Sequence, residues 1–293
     1  MNIESLKMFC DLADSQSFTK AAQTNGVTQS AVSQQVTSLE KTFKSLLIER
    51  SKKQFRLTRE GQVLYDYSKQ ITRIDELLRS KMRELKDLIS GNIQVATIYS
   101  IGLHELPPYI TKFMKNHPTV NVRVEYRGSR QVYEDVLSNT VDLGLVAYPV
   151  KNPNLEIVPF GKDRLVIICH PHHPFAKKTS IKLKELTGQE MVSFESDIPT
   201  RKAIDKILNQ YKVVVKYVME FDNIETLKRA VEIGAGISIV PQATVNEQIA
   251  QKTLAAVEIE NGQFIRPIAA IYKKSRVLTP AMNEFLTTLK SAA

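Results

Sequence analysis

One long amphipathic helix, predicted to begin after Thr58 and to end before Ser90, constrains the fold of this chain more than any other feature. Apolar residues recur in it at spacings of three and four, the period of a helix with one apolar face. Roughly thirty residues at 1.5 Å each give about 45 Å of helix, more than a small domain can cover. We therefore expect this helix to pair with a second copy of itself, with packing on its own chain as the alternative. The apolar positions, called the seam below, are Val63, Tyr67, Ile71, Ile74, Leu78, Met82, Leu85 and Ile89.

A turn at the end of this helix divides the chain. Ser90-Gly91-Asn92 supplies a glycine stop signal, and strand-like runs begin directly after it. With 293 residues, the chain has room for two or three domains. We predict a first domain at 1–58, a linker and dimerisation helix at 59–90, and a larger domain at 91–293.

The composition indicates a globular protein with surplus positive charge. Hydrophobic residues make up 43% of the chain, and 40 Lys plus Arg outnumber 31 Asp plus Glu for a net charge of +9. This balance suits a polyanionic partner without proving one. The densest basic cluster consists of Arg50, Lys52, Lys53, Arg56 and Arg59.

Cellular location is inferred from the cysteines and from two missing signals. Cys10 and Cys169 lie far apart in apolar surroundings, as buried thiols in a reducing compartment do. The N-terminus lacks the pattern of a secretory signal, and no run approaches the ~18 apolar residues of a membrane span. We expect a cytoplasmic protein without a membrane partner.

Two short helices joined by a glycine turn precede the long helix. Ser17 and Thr28 are suited to cap them, and Gly26 can close the turn. The second helix carries hydroxyls and amides on a polar face with almost no charge, which suits hydrogen bonds to base edges in a major groove. A helix that is merely polar within a small bundle is the alternative. The apolar face comprises Ala31, Val32, Val36, Leu39 and Phe43, and the polar face Gln29, Ser30, Ser33, Gln34 and Thr37.

A basic hairpin is predicted between this helix and the long helix. Phe55 and Leu57 alternate with Gln54 and Arg56, a pattern typical of a short strand with one face toward the protein. The other face would lie over a phosphate backbone.

The remainder of the chain alternates strand-like and helical runs. This pattern predicts an α/β fold with parallel strands, for example at 93–98 and 165–170, and a helix around Ile181–Leu186. The pattern occurs twice, and the segment from 267 to 289 is expected to return to the first unit. We therefore predict lobe I at about 91–161 and 267–293, lobe II at about 162–266, and a cleft between them.

No motif indicates a metal, a cofactor or catalysis. The run His170-Pro171-His172-His173 lacks helical spacing and a nearby cysteine ligand. Gly234-Ala235-Gly236 follows a helix and precedes a strand, the reverse of the nucleotide-binding order. We expect no metal site, no cofactor and no enzymatic activity.

Several sequence motifs together resemble the LysR-type transcriptional regulators over the whole chain. The N-terminal motifs are FxxxxxxxSFTKAAxxxxxTQSAVSQQVTSLE from Phe9 and LIERSKKQFRLTREG from Leu47. VDLGLV at 141–146, HPFA at 173–176 and VEIGAGISIVP at 231–241 mark the C-terminal part. The resemblance implies an α/β protein overall, with an N-terminal winged helix-turn-helix, a long linker helix and a C-terminal two-lobed domain like periplasmic binding proteins.

The resemblance also implies a function and its partners. It implies a ligand-responsive regulator that binds double-stranded promoter DNA as a homodimer or homotetramer, with a small anionic effector between the lobes and RNA polymerase as a further candidate partner. The alternative is a solute-binding or small-molecule enzyme domain whose N-terminal helices serve only dimerisation. The amides on the polar helix face and the basic hairpin favour the regulator, because the alternative has no use for them.

Individual residues are assigned from the same resemblance. Family members often carry Pro at the position of Ser30 and Arg at that of Gln34, so the base preference does not transfer there. Hydroxyls and backbone N–H groups at helix starts suit a carboxylate, phosphate or sulfate in the effector site. The expected DNA-binding residues are Thr28, Gln29, Ser30, Ser33, Gln34, Lys52, Lys53 and Arg56, and the expected effector-binding residues are Ser100, Ile101, Gly102, Ser129, Arg130, Thr200 and Arg201.

Overall fold

The computed structural model describes residues 2–49, 55–84, 89–260, 262 and 264–291. The chain forms two compact units, unit 1 at Met1–Leu88 and unit 2 at Ile89–Ala293. The predicted phosphate-binding residues Lys52 and Lys53 and the seam residue Leu85 lie outside the described residues. Among the helices that are described, none combines the length and the apolar character needed to cross a membrane.

Unit 1 is helical. Asn2, Ser17 and Thr28 cap the first three helices by accepting hydrogen bonds from the backbone N–H groups of the first turn, which confirms the predicted caps at Ser17 and Thr28. Gly26 ends the second helix in the left-handed conformation, at φ 63°, that glycine adopts without steric cost. The described helices are α1 Ile3–Ser15, α2 Phe18–Asn25, α3 Gln29–Phe43 and α4 Arg59–Glu84.

The core of unit 1 is built mainly from the apolar faces of α1, α2 and α3. Phe9, Leu12, Val32 and Leu39 are at most 2% exposed there. Phe43, predicted on the same face, is instead 43% exposed because it is the last residue of α3. The predicted apolar face of α3 therefore packs into the core up to Leu39, and Phe43 lies outside the core.

The start of α4 is fixed by the hairpin. Ile48 and Leu57 form an antiparallel bridge, and the Thr58 backbone N–H donates to the Leu47 carbonyl at 3.0 Å. The Thr58 side chain then accepts from the Gly61 N–H at 2.9 Å, which confirms it as the cap of α4. Both strand ends of the predicted hairpin are thus paired.

One side of α4 packs on α1, while the seam faces outward. Tyr65 donates a hydrogen bond to Asp14, and Lys69 pairs with the same carboxylate at 2.9 Å. The described seam residues of α4 are between 40% and 64% exposed in the single chain, so intrachain packing leaves the stripe uncovered. These residues are Val63, Tyr67, Ile71, Ile74, Leu78 and Met82.

Unit 2 alternates helices and strands as predicted, with several further elements. Its helices are α5 Tyr99–His104, α6 Leu106–Asn116, α7 Ser129–Leu137, α8 Pro199–Gln210, α9 Ile224–Glu232, α10 Asn246–Ala250 and α11 Pro280–Lys290. Its strands are β1 Gly91–Thr97, β2 Val120–Tyr126, β3 Leu143–Ala147, β4 Leu155–Cys169, β5 Ser180–Ile181, β6 Glu190–Phe194, β7 Lys216–Phe221, β8 Ser238–Pro241, β9 Ala255–Ile259 and β10 Ile265–Lys273.

Separate apolar cores divide unit 2 into lobe I, around β1 to β3, and lobe II, around β5 to β9. The main sheet has the strand order β2-β1-β3-β10-β4-β9-β5, with β8 also on β4. β1 is parallel to β2 and β3, but β10 runs antiparallel to β3 and β4. The sheet is therefore mixed rather than purely parallel. In the last segment of the chain, β10 lies beside β3 of the first lobe.

Two local predictions in lobe II were incomplete or wrong. The helix expected around Ile181–Leu186 is instead the short strand β5 followed by a 3-10 turn at Leu183–Leu186. The strand predicted at 165–170 matches only the last third of β4, which begins at Leu155. A stretch of two or three apolar residues between polar ones does not distinguish these short elements.

Candidate functional site

The polar face of α3 projects hydrogen-bonding groups into solvent. Gln29, Ser33 and Gln34 are exposed, and their side chains make no hydrogen bonds among the described residues of this chain. By contrast, the adjacent Gln35 turns inward and accepts a hydrogen bond from the Ser5 hydroxyl at 3.0 Å. The exposed face therefore offers amide and hydroxyl groups that are available to a partner.

Local hydrogen bonds order both the start of α3 and the base of the hairpin. The Thr28 hydroxyl caps α3 and lies 2.9 Å from the Ser30 hydroxyl. On the hairpin, Arg56 is exposed, while its carbonyl accepts a 2.9 Å hydrogen bond from the Glu49 N–H. Hydroxyl and guanidinium groups are both suited to contacts with a phosphate backbone.

A cavity of about 580 Å³ lies between lobes I and II. It is bounded in lobe I by residues that follow β1 and β2 and by Ala147 at the end of β3, and in lobe II by residues at and after the ends of β6 and β7. Residues at the carboxyl ends of parallel strands commonly form ligand sites in α/β folds. A volume of this size accommodates a small molecule.

Three helices of nine to twelve residues begin at the wall of this cavity. α7 starts at Ser129, α8 at Pro199 and α9 at Ile224, and all three of these residues line the cavity. Among the described residues, no side chain caps α7 or α8. The starts of α7 and α8 thus lack side-chain caps within the described chain, and the positive ends of all three helix dipoles lie at the cavity wall, an arrangement that favours an anion.

Four of the seven predicted effector-binding residues line the cavity: Ser100, Ser129, Arg130 and Thr200. Thr200 is only 4% exposed, and its hydroxyl has no hydrogen-bond partner among the described residues. Thr200 lines the cavity, so its hydroxyl is available to a ligand.

The other three predicted residues lie behind the cavity wall. Ile101 is fully buried in the lobe I core, and a Cβ at Gly102 would lie 2.5 Å from Cγ2 of Thr97. Arg201 is 5% exposed and pairs with Asp205 and Glu220 at 2.9 and 2.6 Å. These three residues support the site through packing, and Arg201 does not supply free positive charge to the cavity.

The charges around the cavity differ from the expectation. Arg130 is paired with Glu134 at 2.9 Å, and Arg127, which the sequence did not single out, pairs with Glu125 and Asp135. Carboxylates outnumber guanidinium groups among the lining residues. The charged lining residues are Arg127, Arg130, Glu134, Glu195, Asp197 and Asp222. Attraction for an anion must therefore come from the helix N-termini more than from the side chains.

Aromatic and amide groups complete the cavity and were also missed from the sequence. Tyr99 lines the cavity and stacks on Tyr126 with ring centroids 5.4 Å apart. Tyr133, which is uncharged, also lines the cavity. The Asn223 side chain accepts from the Glu225 and Thr226 N–H groups and caps α9. Asn223 in front of a helical run is the one signal that could have identified this part of the site.

The two cysteine thiols are unreactive at neutral pH. Burial raises the pKa of Cys10 to about 12 and that of Cys169 to about 11, so both are protonated at neutral pH. Among the described residues, no group of three or more His, Cys, Asp or Glu side chains is arranged to hold a metal.

Two family profiles together match nearly all of the chain. The family described as "Bacterial regulatory helix-turn-helix protein, lysR family" matches residues 3–62, and that described as "LysR substrate binding domain" matches residues 86–293. The chain belongs to the LysR family. It is accordingly a LysR-type transcriptional regulator, with a helix-turn-helix domain followed by an effector-binding domain.

Relatives of similar length support this membership. A probable RuBisCO transcriptional regulator of Phaeodactylum tricornutum is 28% identical, over 98% of this chain and 96% of its own. The HTH-type transcriptional regulator CysL of Bacillus subtilis is also 28% identical, over 99% of this chain and 97% of its own. The LysR architecture therefore extends over the whole sequence.

Solved structures share the fold. Full-length CbnR, crystallised with its target DNA, is 20% identical and covers all of both chains with a TM-score of 0.69. The regulatory domain of CcmR from Synechocystis PCC6803, in complex with 2-PG, is 24% identical with a TM-score of 0.64, over 69% of this chain and 97% of its own. At these identities the likeness establishes the LysR fold alone.

Proposed function

We propose that this regulator binds promoter DNA through α3 and the basic hairpin, and that a small anion held between lobes I and II controls that binding. The observation that carries the effector part is the meeting of three helix N-termini at one cavity, beside the unpartnered hydroxyl of Thr200. N–H groups at helix starts bind carboxylates, phosphates and sulfates without needing a basic side chain. The CcmR regulatory domain in complex with 2-PG supports a small ligand in a domain of this fold.

The charges at the cavity restrict the kind of anion. Glu195, Asp197 and Asp222 are exposed and line the cavity in lobe II. They repel a ligand that is negative over its whole surface, but they accept hydrogen bonds from hydroxyl or amino groups. We infer a compact anion with its negative group at the helix starts and hydroxyl or amino groups toward these carboxylates.

On the DNA side, the exposed face of α3 is proposed to enter the major groove. Gln29, Ser33 and Gln34 have side chains without partners in the described chain, and such groups can bond base edges. Thr28, Ser30 and Arg56, together with Lys52 and Lys53, are proposed to contact the DNA at and beside the groove, with the basic side chains on phosphates. CbnR, solved on its target DNA, supports this use of the fold.

The assembly is proposed to be a dimer through the seam of α4, or a tetramer built from two such dimers. Six large apolar side chains are exposed along one helix, whereas exposed apolar residues on a monomer usually occur singly. A dimer would present two copies of α3 to two half-sites. We propose RNA polymerase as a further partner at the promoter. We also propose that the protein is cytoplasmic, because promoter DNA is accessible in that compartment.

The competing function is a solute-binding or enzyme domain whose N-terminal helices only dimerise. Under that function, the exposed amides of α3 would have no role, although the seam alone would suffice for dimerisation. The protonated thiols also offer no nucleophile at neutral pH. We therefore propose regulation without enzymatic activity.

Replacing Thr200 by Val in the full-length protein tests the anion site. A panel of sulfate, phosphate and small hydroxy-carboxylates would be titrated by calorimetry into the wild type, Thr200→Val and the control Thr287→Val, which changes an exposed residue of α11. Loss of a hydrogen bond to a charged ligand is expected to weaken binding about tenfold or more in Thr200→Val only. Equal affinity of Thr200→Val and the wild type for every anion that binds would contradict the assignment.

A further inference from the structure

Helix α3 carries a buried carboxylate in its last turn, that of Glu40. Glu40 is 9% exposed, and its Oε1 accepts a hydrogen bond from the Leu47 backbone N–H at 3.0 Å. Leu47 is 1% exposed, and no backbone carbonyl in the described part of the chain accepts from its N–H. A buried N–H normally has an acceptor, because leaving it unpaired costs free energy. Glu40 of α3 therefore supplies the acceptor that the first strand of the hairpin needs.

The backbone of Glu40 also shapes the turn that leads from α3 to the hairpin. Its carbonyl accepts from the Lys44 N–H, and from the Ser45 N–H at 3.1 Å. Lys44 is in the left-handed conformation, at φ 52°, that commonly ends a helix. The path of the chain out of α3 is thus held by the carbonyl and the carboxylate of one residue.

Leu47 passes this constraint on to the second strand of the hairpin. Its carbonyl accepts from the Thr58 N–H at 3.0 Å. Further along the hairpin, the Glu49 N–H donates to the Arg56 carbonyl at 2.9 Å. The strand that carries the Arg56 guanidinium is therefore connected to the end of α3 through Leu47.

Apolar packing also holds the hairpin on unit 1. The Phe55 ring meets that of Phe18 of α2 edge to face, with centroids 6.4 Å apart, and Leu57 packs against the same core. Such contacts are not directional and allow small displacements along the surface. A hydrogen bond depends on distance and angle, so the bond between Glu40 and Leu47 fixes where the hairpin begins relative to α3.

We propose that Glu40 is a positioning residue for DNA binding, which holds the basic hairpin where it contacts phosphates while α3 occupies the groove. This inference rests on the proposed contact of Arg56 with DNA. Without the carboxylate, the Leu47 N–H must find another partner, and the first strand of the hairpin moves together with the second. The start of α3 is capped by Thr28 and does not depend on Glu40. Loss of Glu40 should therefore remove phosphate contacts and weaken binding to every DNA sequence alike.

The salt dependence of DNA binding tests this role, because it reports the number of phosphates contacted. A labelled DNA duplex of random sequence would be titrated by fluorescence anisotropy with the full-length protein at several salt concentrations. Each lost phosphate contact lowers the slope of log affinity against log salt by about 0.9, so Glu40→Ala should lower it by about 1–2. Glu40→Gln keeps an oxygen facing Leu47 and should retain the slope of the wild type. Glu4→Ala, which removes an exposed carboxylate of α1, controls for the change in net charge.

A double-mutant cycle with Arg56 separates positioning from general stability. Arg56→Ala should lower the slope by about 1 in the wild type but change it little in Glu40→Ala, where the hairpin is already displaced. The same loss in both backgrounds, or a wild-type slope in Glu40→Ala, would overturn the positioning role. A slope of Glu40→Gln as low as that of Glu40→Ala would also overturn it, since the acceptor for Leu47 is retained there.

Thermal melts establish that each variant is folded. If Glu40→Ala does not fold, Glu40→Asp takes its place, because it keeps the charge but withdraws the carboxylate from Leu47 by one methylene group. Arg56→Ala with an unchanged slope in the wild-type background would show instead that the hairpin does not contact phosphates through Arg56. That result would overturn the proposed contact itself, and the inference with it.

Discussion

His104 of lobe I and Glu225 of lobe II meet across the cleft, with Nε2 of the imidazole 2.8 Å from Oε1 of the carboxylate. The same oxygen lies 3.0 Å from Nζ of Lys228, whose side chain is 3% exposed. The Lys228 ammonium also donates to the Thr244 carbonyl at 3.0 Å. Glu225 therefore serves both a contact between the lobes and the neutralisation of a buried cation.

Replacing Glu225 by Gln should destabilise unit 2 in a pH-dependent way. Burial alone would raise the pKa of Glu225, but hydrogen bonds from His104 and Lys228 bring it below its usual value of 4.5. A lowered pKa means that the ionised carboxylate stabilises the fold above about pH 4.5 and that this contribution disappears as the pH falls further. Because the side chain is 42% exposed, we expect a loss of only about 1–2 kcal/mol at neutral pH.

Urea denaturation of wild type and Glu225→Gln, at about pH 7 and about pH 4, measures this difference. The gap between the two unfolding free energies should narrow at the lower pH. If the difference in unfolding free energy between the two proteins were the same at both pH values, the charge of Glu225 would not be its cause.

Adjacent glutamines on α3 should behave in opposite ways. Gln34→Ala, on the exposed face, should relax base preference at one operator position by ~1–3 kcal/mol without destabilising the protein. Gln35→Ala loses the internal bond to Ser5 and should lower stability by about 1 kcal/mol while leaving base preference intact. Competition gel shifts on matched and altered operators, beside thermal melts, distinguish the two. Equal weakening on every DNA sequence by Gln34→Ala would remove that residue from the groove.

Gly61 sits where α4 passes over the hairpin. A Cβ at this position would lie 2.0 Å from the Leu47 backbone carbonyl oxygen, which cannot move without breaking its hydrogen bond from the Thr58 N–H. Gly61→Ala should therefore destabilise unit 1 by about 2 kcal/mol or more and weaken DNA binding. Gln62→Ala, at the next and exposed position, is the matched control. A melting temperature unchanged in Gly61→Ala would contradict this close approach.

The seam of α4 predicts the outcome of a charge substitution. Leu78 is 59% exposed in the single chain, and Leu78→Asp should shift the protein toward monomer because a carboxylate would have to be buried in the paired seam. Glu76→Gln, which changes the net charge by one unit in the opposite direction at an exposed position away from the seam, should leave the assembly intact. Sedimentation at micromolar concentration would report the masses. An unchanged mass in Leu78→Asp would rule out the seam as the interface.

The parts that were predictable from sequence depend on local signals. Ser17 and Thr28 cap their helices because the side chain and the N–H that it bonds are only three residues apart. The exposed face of α3 follows from the helical period in the same way. Only the last third of β4 was predicted, because Pro159 and Gly161 interrupt its apolar pattern, although the strand continues through them to pair with β10.

The effector cavity was less predictable because its properties depend on distant partners. Arg201 was assigned as a ligand contact, but it lies against Glu220, nineteen residues away, as well as Asp205. Arg127 and Tyr99 lie beside the predicted positions and have no distinguishing pattern of their own. The link from Arg266 to Ser100 spans 166 residues, a pairing that a single sequence cannot indicate.

Sequence-specific DNA binding through α3 is tested most directly by recovering DNA from a random library with the full-length protein and sequencing what it retains. We expect an enriched site with two related half-sites about one helical turn, or a multiple of it, apart. Gln29→Ala should broaden the preference at one position of each half-site. Retained DNA with no enriched sequence, or an enriched site unchanged by substitutions on the exposed face of α3, would contradict sequence-specific DNA binding through α3.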